Sequence, residues 1–266
     1  MRRNHEIDYR IIGEEMQYVE LELDPQETAI AESGSFMMMD DGIEMQTIFG
    51  DGSQAQSGGG LLGKLLGAGK RLIVGESLFM TAFTNMASYG KKRVSFASPY
   101  PGKIIPLDLQ LLGGKVIAQK DAFLCAAKGV SIGIDFQRRL GTGIFGGEGF
   151  IMEKLEGGGM AFVHAGGHVF ERELKPGELI KIDTGCLVAL THTVDYDIQF
   201  IGGIRNSIFG GEGLFFATLR GPGKVWIQTL PVSRLASRIL SYGTTNRKEE
   251  GSILGGLGNL LDGDGY

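Results

Sequence analysis

The chain has 266 residues, with 26 Lys and Arg against 31 Asp and Glu and a formal net charge of −5. That balance argues against a nonspecific nucleic-acid binder, which needs clustered basic side chains to neutralise phosphates, and no nucleic-acid partner is expected. Glycine supplies 44 residues, about twice its usual share, yet there is no collagen-like period and the apolar fraction of 42% is too high for a disordered chain.

MRRNHEIDYR at the start has no apolar stretch of the kind a secretory signal carries. No apolar run approaches the roughly 18 to 20 residues of a spanning helix. The expectation is a protein of the cytoplasm, soluble or at most peripheral to a membrane. VELELDPQETAIAESGSFMMMDDGIEM at 19–45 reads as alternating strand, turn, strand, polar turn, apolar strand. A Leu/Gly insertion follows at about 50–71, where Leu61, Leu62, Leu65, Leu66, Leu72 and Ile73 recur at helical spacing beside Lys64, Lys70 and Arg71. SLFMTAF is then a strand. IPLDLQLLGGKVIAQKDAFLCAAKGVSI at 105–132 repeats the opening plan, and FIMEKL and LEGGGMAFVHAGGHVF add a strand and a strand–turn–strand. HVFEREL at 168–174, the turn KPGE and LIKID at 179–183 read as a hairpin. CLVALTHTVDYDIQFI, LFFATL and LRGPGKVWIQTLP continue in strands. SRLASRIL at 233–240 is predicted as a helix capped by Ser233, and the tail closes with GSILGGLGNLLDGDGY, which again suits one apolar helical face. Cys125 and Cys186 sit in similar apolar strands without a ligand pattern and are expected as free thiols.

The tract IFGGEG occurs at 144–149 and 208–213, with a degenerate copy IVGES at 73–77. The matched Glu76, Glu148 and Glu212 stand 72 and 64 residues apart, a spacing for small modules rather than solenoid turns. The fold class predicted from alternation, glycine turns and triplication is all-β. It comprises three tandem β-modules around a pseudo-threefold axis, at 6–98, 99–163 and 164–232, with a helical insertion in the first and a helical tail at 233–266, all in one body.

The order GESLFMTAFT, GEGFIMEKLEGGGMAFVHAGG, GEGLFFATLRGPGKVWIQT, with the Leu/Gly insertion ahead of the first, resembles the family of altered-inheritance-of-mitochondria protein twenty-four and its bacterial relatives over nearly the whole chain. The resemblance implies three repeats, each like the subunit of the tryptophan RNA-binding attenuation protein, a short relative of the double-stranded β-helix. It implies no enzyme activity and no ligand. The family's inner-membrane role in fungi is not carried over, since no transit peptide is read in this chain, and neither are the attenuator's tryptophan and RNA sites, since no basic pattern recurs in the three repeats.

Glu76, Glu148 and Glu212 are candidate ligand-binding residues, because a threefold arrangement would bring three carboxylates together to hold a cation or share a proton. Alternatively each accepts hydrogen bonds from its own loop. His164 and His168, with His192, are candidate metal ligands. Glycines between the first two make them flanks of a turn, so solvent-facing side chains are the simpler reading. Gly141, Gly143 and Gly146 form a GxGxxG-like string, but a strand follows it rather than a helix, which excludes a dinucleotide fingerprint. Trp226, Phe209, Phe215 and Phe216 read as core.

The expected function is a non-enzymatic scaffold or binding protein: a cytoplasmic homo-oligomer, without cofactor, offering a platform to an unknown partner. One alternative is a cupin-like metal- or small-molecule-dependent enzyme using the histidines. Another is a peripheral membrane-organising protein whose basic insertion meets an anionic membrane surface. Docking of the two Leu/Gly stretches on the β-body or on a sister subunit is preferred, because they lack aromatic anchors.

Overall fold

The computed structural model describes residues 6–32, 34–49, 79–138, 150–201, 214–240 and 242. These form nineteen strands, two single 3-10 turns and one helix, α1, over 232–240. The all-β expectation holds. The Leu/Gly insertion and the tail beyond α1 lie outside the described residues. Pro231 rather than Ser233 starts α1, since its carbonyl accepts from the amides of Arg234 and Leu235.

After β1 (Asp8–Ile12), the first unit holds β2 (Tyr18–Leu23), β3 (Thr28–Glu32), β4 (Phe36–Met39), β5 (Ile43–Phe49), β6 (Phe79–Asn85) and β7 (Lys92–Ala97). The second holds β8 (Gly102–Asp108), β9 (Lys115–Gln119), β10 (Phe123–Ala127), β11 (Ser131–Arg138), β12 (Phe150–Glu156) and β13 (Met160–Gly166). The third holds β14 (Val169–Leu174), β15 (Leu179–Asp183), β16 (Leu187–Thr191), β17 (Asp195–Ile201), β18 (Leu214–Arg220) and β19 (Gly223–Gln228).

One antiparallel scheme runs through all three units. The first and third strands of a unit flank its last strand, and the second and fourth flank its fifth. Even a register shift recurs at one place in the third strand, between Phe36 and Met38, Phe123 and Cys125, and Leu187 and Ala189. Each unit is therefore two half-sheets facing each other. Successive units are stitched edge to edge, β3 to β10 and β9 to β16. The stitching makes two six-stranded sheets, ordered β5-β6-β3-β10-β13-β8 and β11-β12-β9-β16-β19-β14. At the ends of the series stand a four-stranded sheet, β1-β2-β7-β4, and a three-stranded one, β15-β18-β17.

The central strands of both six-stranded sheets are buried on both faces, which explains the unbroken apolar runs FLCAA and LVALT, buried at every residue. In β10, Phe123 and Ala126 join one core with Val188 and Trp226, while Leu124 and Cys125 join another with Phe83 and Phe96. A third core gathers Leu187, Leu190, Leu219 and Val225. Cys125 is buried and Cys186 half-buried, and both are free thiols.

The expected hairpin is corrected. β14 and β15 flank the KPGE turn as read, with Gly177 at φ +78 and the Glu178 amide donating to Lys175 O, but β14 pairs β19 and β15 pairs β18. Likewise β12 and β13 lie in different six-stranded sheets. The turn residues bend the chain as expected, while burial decides which neighbour each strand meets.

Close packing is tightest where β8 begins. A Cβ built on Gly102 would stand 1.9 Å from the backbone oxygen of Ala165 on the paired strand β13. Gly102→Ala should therefore force the β8–β13 pair apart and lower unfolding stability by about 2 to 3 kcal/mol, as overpacking does. Urea unfolding followed by circular dichroism measures it; an unchanged midpoint would contradict this packing.

Candidate functional site

The described residues carry one dense set of buried polar groups, gathered around the 3-10 turn Lys120–Ala122 between β9 and β10. The turn forms because Gln119 and Phe123 keep extended backbone on either side while the Phe123 amide donates back to Lys120 O. It packs on β12 and β13. These strands present Glu153 and His164, each only 1% exposed.

Glu153 is placed by strand periodicity. Phe150 and Met152 enter one core and Leu155 the other, and Glu153 shares the Leu155 face two residues away. Its Oε1 is buried with no hydrogen-bond partner. Burial first, and then the neighbouring Glu32 carboxylate, push its pKa up to about 8, with Asp121 adding to the rise and Lys120 opposing it. Glu32, the last residue of β3, is pushed up to about 7, first by burial and then by Asp121, again against Lys120.

On the other side of the turn, His164 Nε2 lies 3.2 Å from the carbonyl of Tyr100. A carbonyl only accepts, so Nε2 carries the proton and Nδ1 is left as an acceptor. Nδ1 is buried without a partner. Burial, outweighing that hydrogen bond, brings the imidazole pKa down to about 4. Tyr100 stacks edge-on at 4.2 Å between ring centroids, and its hydroxyl is pushed up to about 12, mainly by burial and then by Asp121. Tyr100, Gln119, Asp121, His164, Gln228 and Ser233 line a small cleft with room for about one water molecule.

Gln228 ties this region to the third unit. Its Oε1 accepts from the Gly166 amide at 2.7 Å and its Nε2 donates to Gly185 O at 2.8 Å. The 3-10 turn at Thr184–Cys186 is the counterpart of Lys120–Ala122, and Asp183 caps it by accepting from the Gly185 amide. Arg234 of α1 reaches Asp183 at 3.2 Å, so the helix is fastened beside the cleft.

Of the residues singled out from sequence, Glu76, Glu148 and Glu212 lie outside the described residues. His164 is buried, His168 is exposed just before β14, and His192 is exposed with Nδ1 3.2 Å from Lys115 O. The expectation that His164 faces solvent is corrected: it is 1% exposed, and β13, which carries it, lies in a different sheet from β14, which His168 precedes. Lys115 and Gln119 are the two ends of β9, about 13 Å apart at strand rise, so His192 and the His164 cleft sit at opposite ends. Among the described residues no group of three or more His, Cys, Asp or Glu is arranged to hold a metal ion. Trp226 is core, 3% exposed, with its indole N–H donating to Glu171 at 2.9 Å. Sequence reasoning missed Glu32, Gln119, Glu153 and Gln228. Their one signal was a charged or amide residue at an inward register position of an apolar strand.

Residues 9–230 match the family model described as mitochondrial biogenesis AIM24. An uncharacterized protein of Streptococcus pyogenes serotype M6 is 31% identical over 237 residues, covering 87% of this chain and 89% of its own. A crystal structure of a protein from Streptococcus pyogenes superposes with a TM-score of 0.68 at 24% identity, over 89% of this chain and 99% of that one. Its likeness concerns the fold alone.

The Gln228 bonds yield a direct expectation. Gln228→Met keeps the volume but leaves the Gly166 N–H and the Gly185 carbonyl unpaired, so stability should fall by about 2 to 4 kcal/mol. Chemical unfolding measures it; a loss under about 0.5 kcal/mol would show that the amide is not the tie between these units.

Proposed function

The chain belongs to the mitochondrial biogenesis AIM24 family, and from that premise we propose that it is a non-enzymatic, self-assembling scaffold of the cytoplasm. The observation that carries this reading is a pair of matching strand edges left without partners among the described residues. The third strand of a unit is β10 in the second and β16 in the third; both are paired on two sides and wholly buried. Its counterpart β4 pairs only β7 among the described residues. There Phe36, Met37, Met38 and Met39 are 38–48% exposed. The second strand behaves in the same way: β3 and β9 each have two neighbours, while among the described residues β15 pairs only β18 and exposes Leu179.

An apolar edge strand in water invites pairing with another chain. Met45 and Met86 extend the exposed apolar surface beside β4, and methionine side chains adapt readily to a partner. The partner we assign is a second copy, whose β15 adds to β4 in the manner of β3 on β10 and β9 on β16. Carrying the β3–β10 register over sets Met38 opposite Ile182 and Met39 opposite Lys181. Such a contact is head-to-tail and builds rings or filaments rather than an isologous pair. Support for the non-enzymatic part is steric: His164, Asp121 and Ser233 line a cleft with room for about one water molecule, too small to admit a substrate between them. No helix of the described residues is long and apolar enough to cross a membrane, in keeping with a scaffold that meets membranes only through partners.

The register gives the test. Mixing a Met38→Cys chain with an Ile182→Cys chain under mild oxidation should yield a disulfide-linked dimer, whereas either chain alone should not, because directly opposed residues of antiparallel strands lie about 4.5 to 5.5 Å apart. A disulfide that forms only inside one chain carrying both substitutions would show intramolecular closure and overturn the self-assembly reading.

A further inference from the structure

The joint between the first two units ends in charge. Glu32 is the last residue of β3, next to Ala31, which pairs with Cys125 of β10. The turn leading into β10 carries Lys120 and Asp121. Glu153 faces them from β12, where it is paired with Ala118 and Ile134 and so has no polar cross-strand neighbour to satisfy it. Burying an ionised carboxylate without partners is far more costly than burying the neutral acid. Glu153 has one buried oxygen with no hydrogen bond, a second carboxylate close by, and a third on the turn. The cation on this face is Lys120. His164, on β13, faces the cleft lined by Asp121 and is neutral at ordinary pH, because burial brings its pKa down to about 4. Glu153 is buried with one unpartnered oxygen, and its charged neighbours are the half-buried Glu32, the exposed Asp121 and the half-buried Lys120, so negative charge around it exceeds positive and the protonated form is favoured.

We propose that Glu32 and Glu153 form a proton-binding site at the β3–β10 joint, which holds firmly with the proton bound and loosens when the proton leaves for solvent. The ligand is the proton itself, taken from water and returned to it, and no other reactant is needed. The inference rests on the joint inside one chain and is independent of self-assembly.

The direction with pH follows from linkage. Both carboxyls titrate higher in the folded protein, at about 7 and about 8, than the ordinary 4.5. Between these values the folded state binds protons that the unfolded state has released, so stability falls as pH rises. The stabilising contribution is complete below about pH 4.5 and is lost as pH passes through 7 and 8.

The experiment uses the full chain. Urea midpoints and amide hydrogen-exchange protection at Ile30 and Ala126, which face each other across the joint, are measured from pH 5 to pH 9. For the unaltered protein the urea midpoint should fall over this range, and protection at the two amides should drop at least about tenfold, one pKa unit of coupling. Glu153→Gln fills the same space and cannot ionise, so it should lose protection only with Glu32, near pH 7, and lack the further loss near pH 8. Glu32→Gln should move the loss to lower pH, because Glu153 then faces one negative charge fewer. Parallel loss in the unaltered protein and E153Q, or a loss in E32Q at the unaltered pH, would overturn the proposal. Infrared spectroscopy of the unaltered protein gives a check that needs no variant. A neutral carboxylic-acid band should persist at pH 7 and vanish by pH 9; its absence at pH 7 would overturn the site.

Discussion

Everything else in this protein depends on one backbone contact: the second strand of one unit lies along the third strand of the next. β3 on β10 and β9 on β16 convert isolated half-sheets into continuous six-stranded sheets. A unit of this size has a small interior and would be marginal alone, and the joints add to its core. They bring Ile30 and Met80 of the first unit into the core built by Val163 and Ala165 of the second, and Ile117 and Met152 of the second into the core built by Leu187 and Leu219 of the third. Each such side chain contributes about 1.5 to 3 kcal/mol by leaving water. Edge pairing and two-sided burial therefore reinforce each other, and the joint cannot open without exposing two cores.

The same constraint places the polar groups. The second strand ends at Glu32, Gln119 or Asp183, and a tight turn must carry the chain into the third strand beside it. In the third unit Asp183 caps its own turn and binds Arg234, a local and solvated solution. At Gln119 the turn brings Lys120 and Asp121 against Glu153 and Glu32, of which Glu153 is fully buried. Gln228 and His164 take corresponding positions in the last strands of neighbouring units, and their amide and imidazole tie the ends of the sheets together. The dense polar region is thus a consequence of stitching units at their strand ends.

Much of this was legible in the sequence, and what was not has a physical reason. Alternation in VELEL and LIKID, and glycine at the bends, identify strands because side-chain period and positive φ are local properties. The unbroken runs FLCAA and LVALT marked strands buried on both faces. The hairpin read at Lys175 to Glu178 failed because the turn residues act within a few positions, whereas the partners of β14 and β15, namely β19 and β18, lie 33 to 59 residues further along. Among candidate residues, the repeat glutamates drew attention because they recur, whereas Glu153 matters because it does not: Thr81 and Ala217 stand at the equivalent positions of β6 and β18. A residue that departs from its repeat at an inward position is the signal that sequence reasoning passed over.

The central claim is that the β4 and β15 edges are met by other copies of the chain. Native mass spectrometry of the intact protein, taken through a dilution series, tests it most directly. The account expects species at whole multiples of the 28.6 kDa chain that dissociate together when Met38 is replaced by Lys. A single species of 28.6 kDa at every concentration would contradict it.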